Sequence, residues 1–157
     1  MRVLMKHIRN CAKALIIRDR HVLLIEKRVG DANWFVFPGG GQEKGETLEQ
    51  ALQRECMEEI GTHVVVGPLR FVREYVGSKH EFGDSHQDRH HIELLFLCDV
   101  PDDYQPRMGE APDEEQIRVD WIPLENLNEE PVFPRTLSKA IAQGDLSKLD
   151  VYWGDVN

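Results

Sequence analysis

No apolar run approaches the roughly 18 residues needed to cross a bilayer, which argues against a membrane-spanning helix. Met1 to His7 lack the long apolar stretch of a secretory leader, so none is expected. Cysteine is sparse. Cys11, Cys56 and Cys98 lie far apart and form no CxxC pair. Their odd number and apolar neighbours point to buried thiols in a reducing compartment, and so to a cytoplasmic protein. There is no internal repeat and no low-complexity segment. Basic residues form no coherent face of the kind that tracks nucleic acid, so no stable nucleic-acid complex is expected.

What remains is an ordinary soluble composition: 157 residues, 41% hydrophobic and 30% charged. That length suggests a single domain over 1–157 and suffices for a real core. The net charge of −9 is unevenly placed. Residues 1–40 hold eight Lys/Arg against three Asp/Glu, and residues 102–130 hold ten Asp/Glu against two Arg. A basic first part suits phosphates and an acidic later part suits metal ions, although solvated surface explains most of these charges equally well.

Along the chain, residues 10–18 and 21–28 read as two strands rich in branched residues, joined by a turn at Asp19-Arg20 into a hairpin. Trp34 to Phe37 read as a short buried strand that ends at Pro38-Gly39-Gly40-Gly41. Val64 to Val76 hold one or two strands broken at Gly67-Pro68. Gly77 to His90 read as a polar loop containing His80, His86 and His90, with His91 next to it. A histidine cluster can hold zinc or copper, but no spacing here defines a tetrahedral set, and a surface loop is the plainer reading. Ile92 to Cys98 form a strong strand, on which Glu93 reads as an exposed carboxylate, the rarer alternative being one that reaches a metal centre. A proline-bearing loop, 101–113, precedes Glu114-Glu115 and a strand over 116–122. A turn or short helix follows from Pro123, then a helix from Pro134 to Ala142. The polar tail, with Tyr152 and Trp153, packs either on a partner or on the protein's own body.

The most informative stretch is residues 40–62, where a glycine-rich loop runs into an amphipathic helix. Thr47 and Gln50 make a capping box and Gly61 supplies a left-handed stop. Leu48, Ala51, Leu52, Cys56 and Ile60 give the helix an apolar side for docking on a sheet. Glu55, Glu58 and Glu59 crowd one helix face, because residues three and four apart lie together. Such crowding costs roughly 0.2–0.5 kcal/mol per pair, and a hard divalent cation removes that cost. The plainer alternative is a solvated acidic face. Arg54, beside Glu55 and four residues before Glu58, can orient those carboxylates through its rigid fork.

The stretch resembles the Nudix box, G-x5-E-x7-R-E-U-x-E-E-x-G-U, where U is a bulky aliphatic residue. Gly40, Glu46, Arg54, Glu55, Glu58, Glu59 and Gly61 fall at the required spacing, while Cys56 and Thr62 depart at two U positions. The resemblance implies a Nudix-type α/β/α sandwich with a mixed β-sheet. It also implies Mg²⁺- or Mn²⁺-dependent hydrolysis of a nucleoside diphosphate linked to another group. The metal ligands it implies are Glu55, Glu58, Glu59 and the Gly39 carbonyl. Arg54 and Glu46 become supporting residues, and the general base is Glu55 or Glu58 in the box or, from a later loop, Glu115 and then Glu114. Lys27, Arg28 and Gly40 are candidates for substrate phosphates, and Trp34 or Phe35 for stacking on a base or ribose, with core packing as the alternative. ADP-ribose, a nucleotide sugar, a dinucleoside polyphosphate and an oxidised nucleoside triphosphate all remain open as substrates. So does a homodimer, and so does a nucleotide-sensing module without turnover.

Overall fold

The computed structural model describes residues 7–157, and the reading of Met1 to Lys6 lies outside that range. Strand β1 (Arg9–Arg18) turns into β2 (His21–Val29) through Asp19 and Arg20. Both residues have positive φ, 49° and 60°, the paired left-handed geometry that matches the twist of a two-residue hairpin. Next come β3 (Ala32–Val36) and β4 (Gly39–Gly41), which leads into α1 (Leu48–Ile60). The chain continues through β5 (Val65–Val76), the short helix α2 (Gly83–His86), β6 (His90–Asp99) and β7 (Gln116–Pro123). It ends with β8 (Val132–Phe133), α3 (Arg135–Ala142) and β9 (Tyr152–Asp155).

These strands join in one mixed sheet of order β8-β3-β2-β1-β6-β5-β9, with β4 pairing on β1 and β7 on β2. Parallel pairs (β1 with β6, β3 with β8, β5 with β9) alternate with antiparallel ones. Side chains alternate across a strand, and β1 shows both faces buried. Ala12, Ala14 and Ile16 pack with Leu23, Ile25 and the α1 residues Leu52, Cys56 and Ile60. Leu15 packs on the other side with Val22, Leu24, Phe71, Leu95 and the α3 residues Leu137 and Ile141. A sheet covered by a helix on each face is the expected α/β/α sandwich.

Two expectations are corrected and one alternative is decided. Gly67-Pro68 does not divide β5, because the strand absorbs the pair in a register irregularity between Val66 and Leu69. Residues 77–90 are more ordered than a plain loop, containing a 3₁₀ turn at Gly77–Lys79 and then α2. The tail forms β9 on the protein's own sheet, pairing Tyr152 with Val72 and Asp155 with Glu74. Among the described residues, no helix is long and apolar enough to cross a membrane.

Candidate active site

The capping box at the start of α1 is present in both halves. Gln50 N donates to Thr47 Oγ1 at 3.1 Å, and Thr47 N donates to Gln50 Oε1 at 2.9 Å. A cap of this kind stabilises a helix by about 1 kcal/mol. At the far end Gly61 adopts φ 70° and its N–H bonds Cys56 O. Between these stops the apolar side docks on the sheet, and this fixes where the glutamates stand.

Arg54 organises the acidic face. Its Nε and Nη2 grip both oxygens of Glu46 at 2.8 and 2.9 Å. Nη1 donates to Glu55 Oε1 at 2.9 Å and lies 3.6 Å from Glu58 Oε2, and Nη2 also donates to the Gly41 carbonyl at 3.0 Å. One planar guanidinium thus ties the loop, Glu55 and Glu58 into one unit, a task beyond a lysine. The hydrogen bond from Arg54 holds the Glu46 carboxyl well below the usual range, at about 2. Gly40 is required by contact, because a Cβ there would lie 2.6 Å from the Glu55 carboxyl carbon.

Glu59 is buried and accepts from Gly39 N at 2.7 Å. Burial pushes its pKa up to about 7, against the opposing pull of Lys13 and the Gly39 N–H, with Glu55 and Asp113 adding to the rise. The Gly39 carbonyl, expected as a metal ligand, accepts from Lys13 Nζ at 3.0 Å, which leaves its second lone pair for a cation. The backbone N–H and C=O of Gly39 therefore face a carboxylate and an ammonium. Among the described residues, no three His, Cys, Asp or Glu side chains already converge in a metal-holding set. The donor chemistry fits a hard divalent cation nonetheless: three carboxylates within two turns of α1 and a backbone carbonyl, one of the carboxylates buried.

The other expected residues divide. Lys27 is paired with Asp113 at 3.0 Å, and Arg28 donates to Asn33 at 2.9 Å, so both are engaged. Phe35 is buried in the core of the α3 face, whereas Trp34 is half-buried. Glu114 and Glu115 are exposed. The charge of Glu115 reaches His86, whose pKa burial and Arg89 lower. The loop before them is strapped to the C-terminal end of α1. Ala111 N bonds Glu58 O, Gly109 N and Gln116 Nε2 bond Glu59 O, Tyr104 OH bonds Ile60 O, and Arg107 bonds Gly61 O. These contacts satisfy the carbonyls that a helix end leaves open.

Glu93 is buried and paired with Arg73, not exposed as expected. The histidines disperse to separate partners: His80 to Asp155 at 2.6 Å, His86 to Tyr75 at 2.7 Å and His90 to Glu74 at 3.1 Å. Lys13 was missed by sequence reasoning. A lone lysine among strand residues carries no pattern, and only its alternation with Ala12 and Ala14 hinted at its face.

Comparison with known proteins agrees with this geometry. The NUDIX domain family matches residues 8–142. The chain is 32% identical over 135 residues to the 8-oxo-dGTP diphosphatase of Escherichia coli, covering 84% of this chain and 92% of that protein. It is 30% identical over 113 residues, 71% of this chain, to mouse "Nucleoside diphosphate-linked moiety X motif 6". It spans about a third of the length of that protein, 33%. The crystal structure of a MutT NUDIX hydrolase from Burkholderia pseudomallei superposes with a TM-score of 0.67 at 23% identity, covering 92% of this chain and 99% of that one. With the NUDIX model matching residues 8–142 and the box running from the glycine loop through α1, the chain belongs to the Nudix family.

Proposed function

We propose that the protein is a divalent-metal-dependent hydrolase that cleaves the pyrophosphate bond of a nucleoside diphosphate linked to another group. The observation that carries this reading is the Arg54 unit: one guanidinium holding Glu46, Glu55 and the Gly41 carbonyl, with Glu58 beside it. Glu55, Glu58, Glu59 and the Gly39 carbonyl would hold Mg²⁺ or Mn²⁺. When bound, the ion neutralises pyrophosphate oxygens and acidifies the attacking water.

The chain's own residues do the rest. Arg54 keeps Glu55 and Glu58 oriented on one side of the glycine loop. Gly40, lacking a Cβ, lets a phosphate approach the backbone beside Glu55. Water adds to one phosphorus, the P–O–P bridge breaks, and the bridging oxygen leaves with the other phosphate. The proton from water passes to a carboxylate, Glu55 or Glu58 in the box or Glu115 from the later loop. Little covalent chemistry is asked of the protein, so positioning and electrostatics carry the rate.

The substrate class is tested with a panel of ADP-ribose, nucleotide sugars, diadenosine polyphosphates and oxidised nucleoside triphosphates, each with Mg²⁺ and Mn²⁺, with products identified by mass. Expected is release of a nucleoside monophosphate from at least one substrate, abolished by EDTA and restored by metal. Undiminished turnover in metal-free protein would refute the mechanism. Tight binding without turnover over hours would replace the enzyme with a nucleotide sensor.

A further inference from the structure

Lys13 stands on β1 between Ala12 and Ala14, which belong to the α1 face, so its side chain projects to the α3 face with Leu15. Its ammonium donates to Gly39 O at 3.0 Å and to Phe37 O at 3.5 Å. An ammonium has three N–H donors, and among the described residues the third has no protein acceptor. Lys13 also lines a cavity with Val36, Phe37, Arg73, Glu93, Phe133 and Pro134. The charges there do not balance. Glu93 is matched by Arg73, which also donates to Val156 O, so the ammonium of Lys13 is left as net positive charge. Its charge is felt by Glu59 and Glu93, but it makes no hydrogen bond to either, since its two hydrogen bonds go to neutral carbonyls.

A half-buried cation with a spare donor, beside apolar walls and next to the residue that Glu59 holds, suits an anion bearing an apolar flank. We infer that Lys13 contacts the substrate, donating to a phosphate oxygen on the cavity side of Gly39, opposite the carboxylates of α1. The inference rests on the proposed function and adds a residue and a direction to it. The phosphate chain lies across Gly39, with the acidic cluster on one side and Lys13 on the other. Binding gives the spare donor an anionic acceptor, so the new hydrogen bond joins two opposite charges, whereas the 3.5 Å contact to Phe37 O goes to a neutral carbonyl.

The test measures binding without turnover, using α,β-methylene-ADP and, separately, methylenediphosphonate, in the presence of Mg²⁺, on wild type, Lys13→Met and Lys13→Arg. Expected is at least a tenfold rise in Kd for both probes in Lys13→Met, with Lys13→Arg within threefold of wild type. The Kd for Mn²⁺ in nucleotide-free Lys13→Met should stay equal or become tighter, because a neighbouring cation has been removed. Should Lys13→Met not fold, Lys13→Gln is measured in its place with the same expectation. Unchanged probe affinity in the neutral variant overturns the inference. So does equal weakening in the Met and Arg variants accompanied by a lower Tm, which would make Lys13 a structural tie. If wild type binds methylenediphosphonate in a Lys13-dependent way but no nucleotide, Lys13 stands and the nucleotide reading falls. If wild type binds neither probe, both are overturned.

Discussion

Replacing Glu59 by Gln should strengthen the metal-free protein and disable it at the same time. Burial raises the Glu59 pKa from 4.5 to about 7. The folded state therefore binds this proton more tightly than the unfolded chain does. At and below the unfolded value both states are protonated and nothing is lost. As pH rises from about 4.5 to about 7 the folded state must ionise a buried carboxyl, and stability falls. At about 1.36 kcal/mol per unit, the loss above pH 7 approaches about 3 kcal/mol. Gln keeps the shape and an acceptor for Gly39 N–H but has no proton to lose. For a domain of this size about 3 kcal/mol corresponds to about 6–12 °C in Tm. Thermal melts in EDTA should thus coincide for wild type and Glu59→Gln at pH 4.5, and separate by about that amount at pH 8 with the variant higher. Adding Mg²⁺ or Mn²⁺ at pH 8 should raise the wild type and leave the variant nearly unmoved. Turnover by Glu59→Gln should fall by two or more orders of magnitude, about 3 kcal/mol of transition-state stabilisation. Melts that track each other across pH 4.5–8, or near-normal turnover by the variant, would refute the placement of a strained, metal-seeking carboxylate at this position.

Two further outcomes follow from contacts at the site. Gly40→Ala puts a methyl 2.6 Å from the Glu55 carboxyl carbon, so kcat should drop at least about tenfold while Tm changes by only a few degrees; activity equal to wild type would show that Glu55 needs no such room. Glu115→Gln should lower kcat while leaving KM within a few-fold, and Glu114→Gln should do less; equal, near-wild-type rates for both would return the base role to Glu55 or Glu58.

The box helix was legible in the sequence because everything that defines it is local. Thr47 and Gln50 are three residues apart, Gly61 follows the last turn, and Arg54, Glu55, Glu58 and Glu59 share a face by helical period alone. The hairpin at Asp19-Arg20 and the strand-helix order were legible for the same reason, and the α/β/α class came from the resemblance to the Nudix box. Only the tertiary structure could decide what crosses between strands. The pairing of Arg73 with Glu93 depends on the register of β5 against β6, and that register follows from packing the whole sheet. Loop 101–113 read only as a proline-bearing connection, yet it bonds the end of α1, an arrangement that needs the helix to be docked first. β9 took the edge of β5 because an open edge strand presents unpaired backbone groups that a polar tail can satisfy. Lys13 shows the division most plainly. Its sequence neighbours are apolar strand residues, and its partners are backbone carbonyls 24 and 26 positions away. Period and spacing determine which residues share a face of one element. Which faces meet is decided by burying apolar area over long sequence separations, and a charge acquires its role only after they have met.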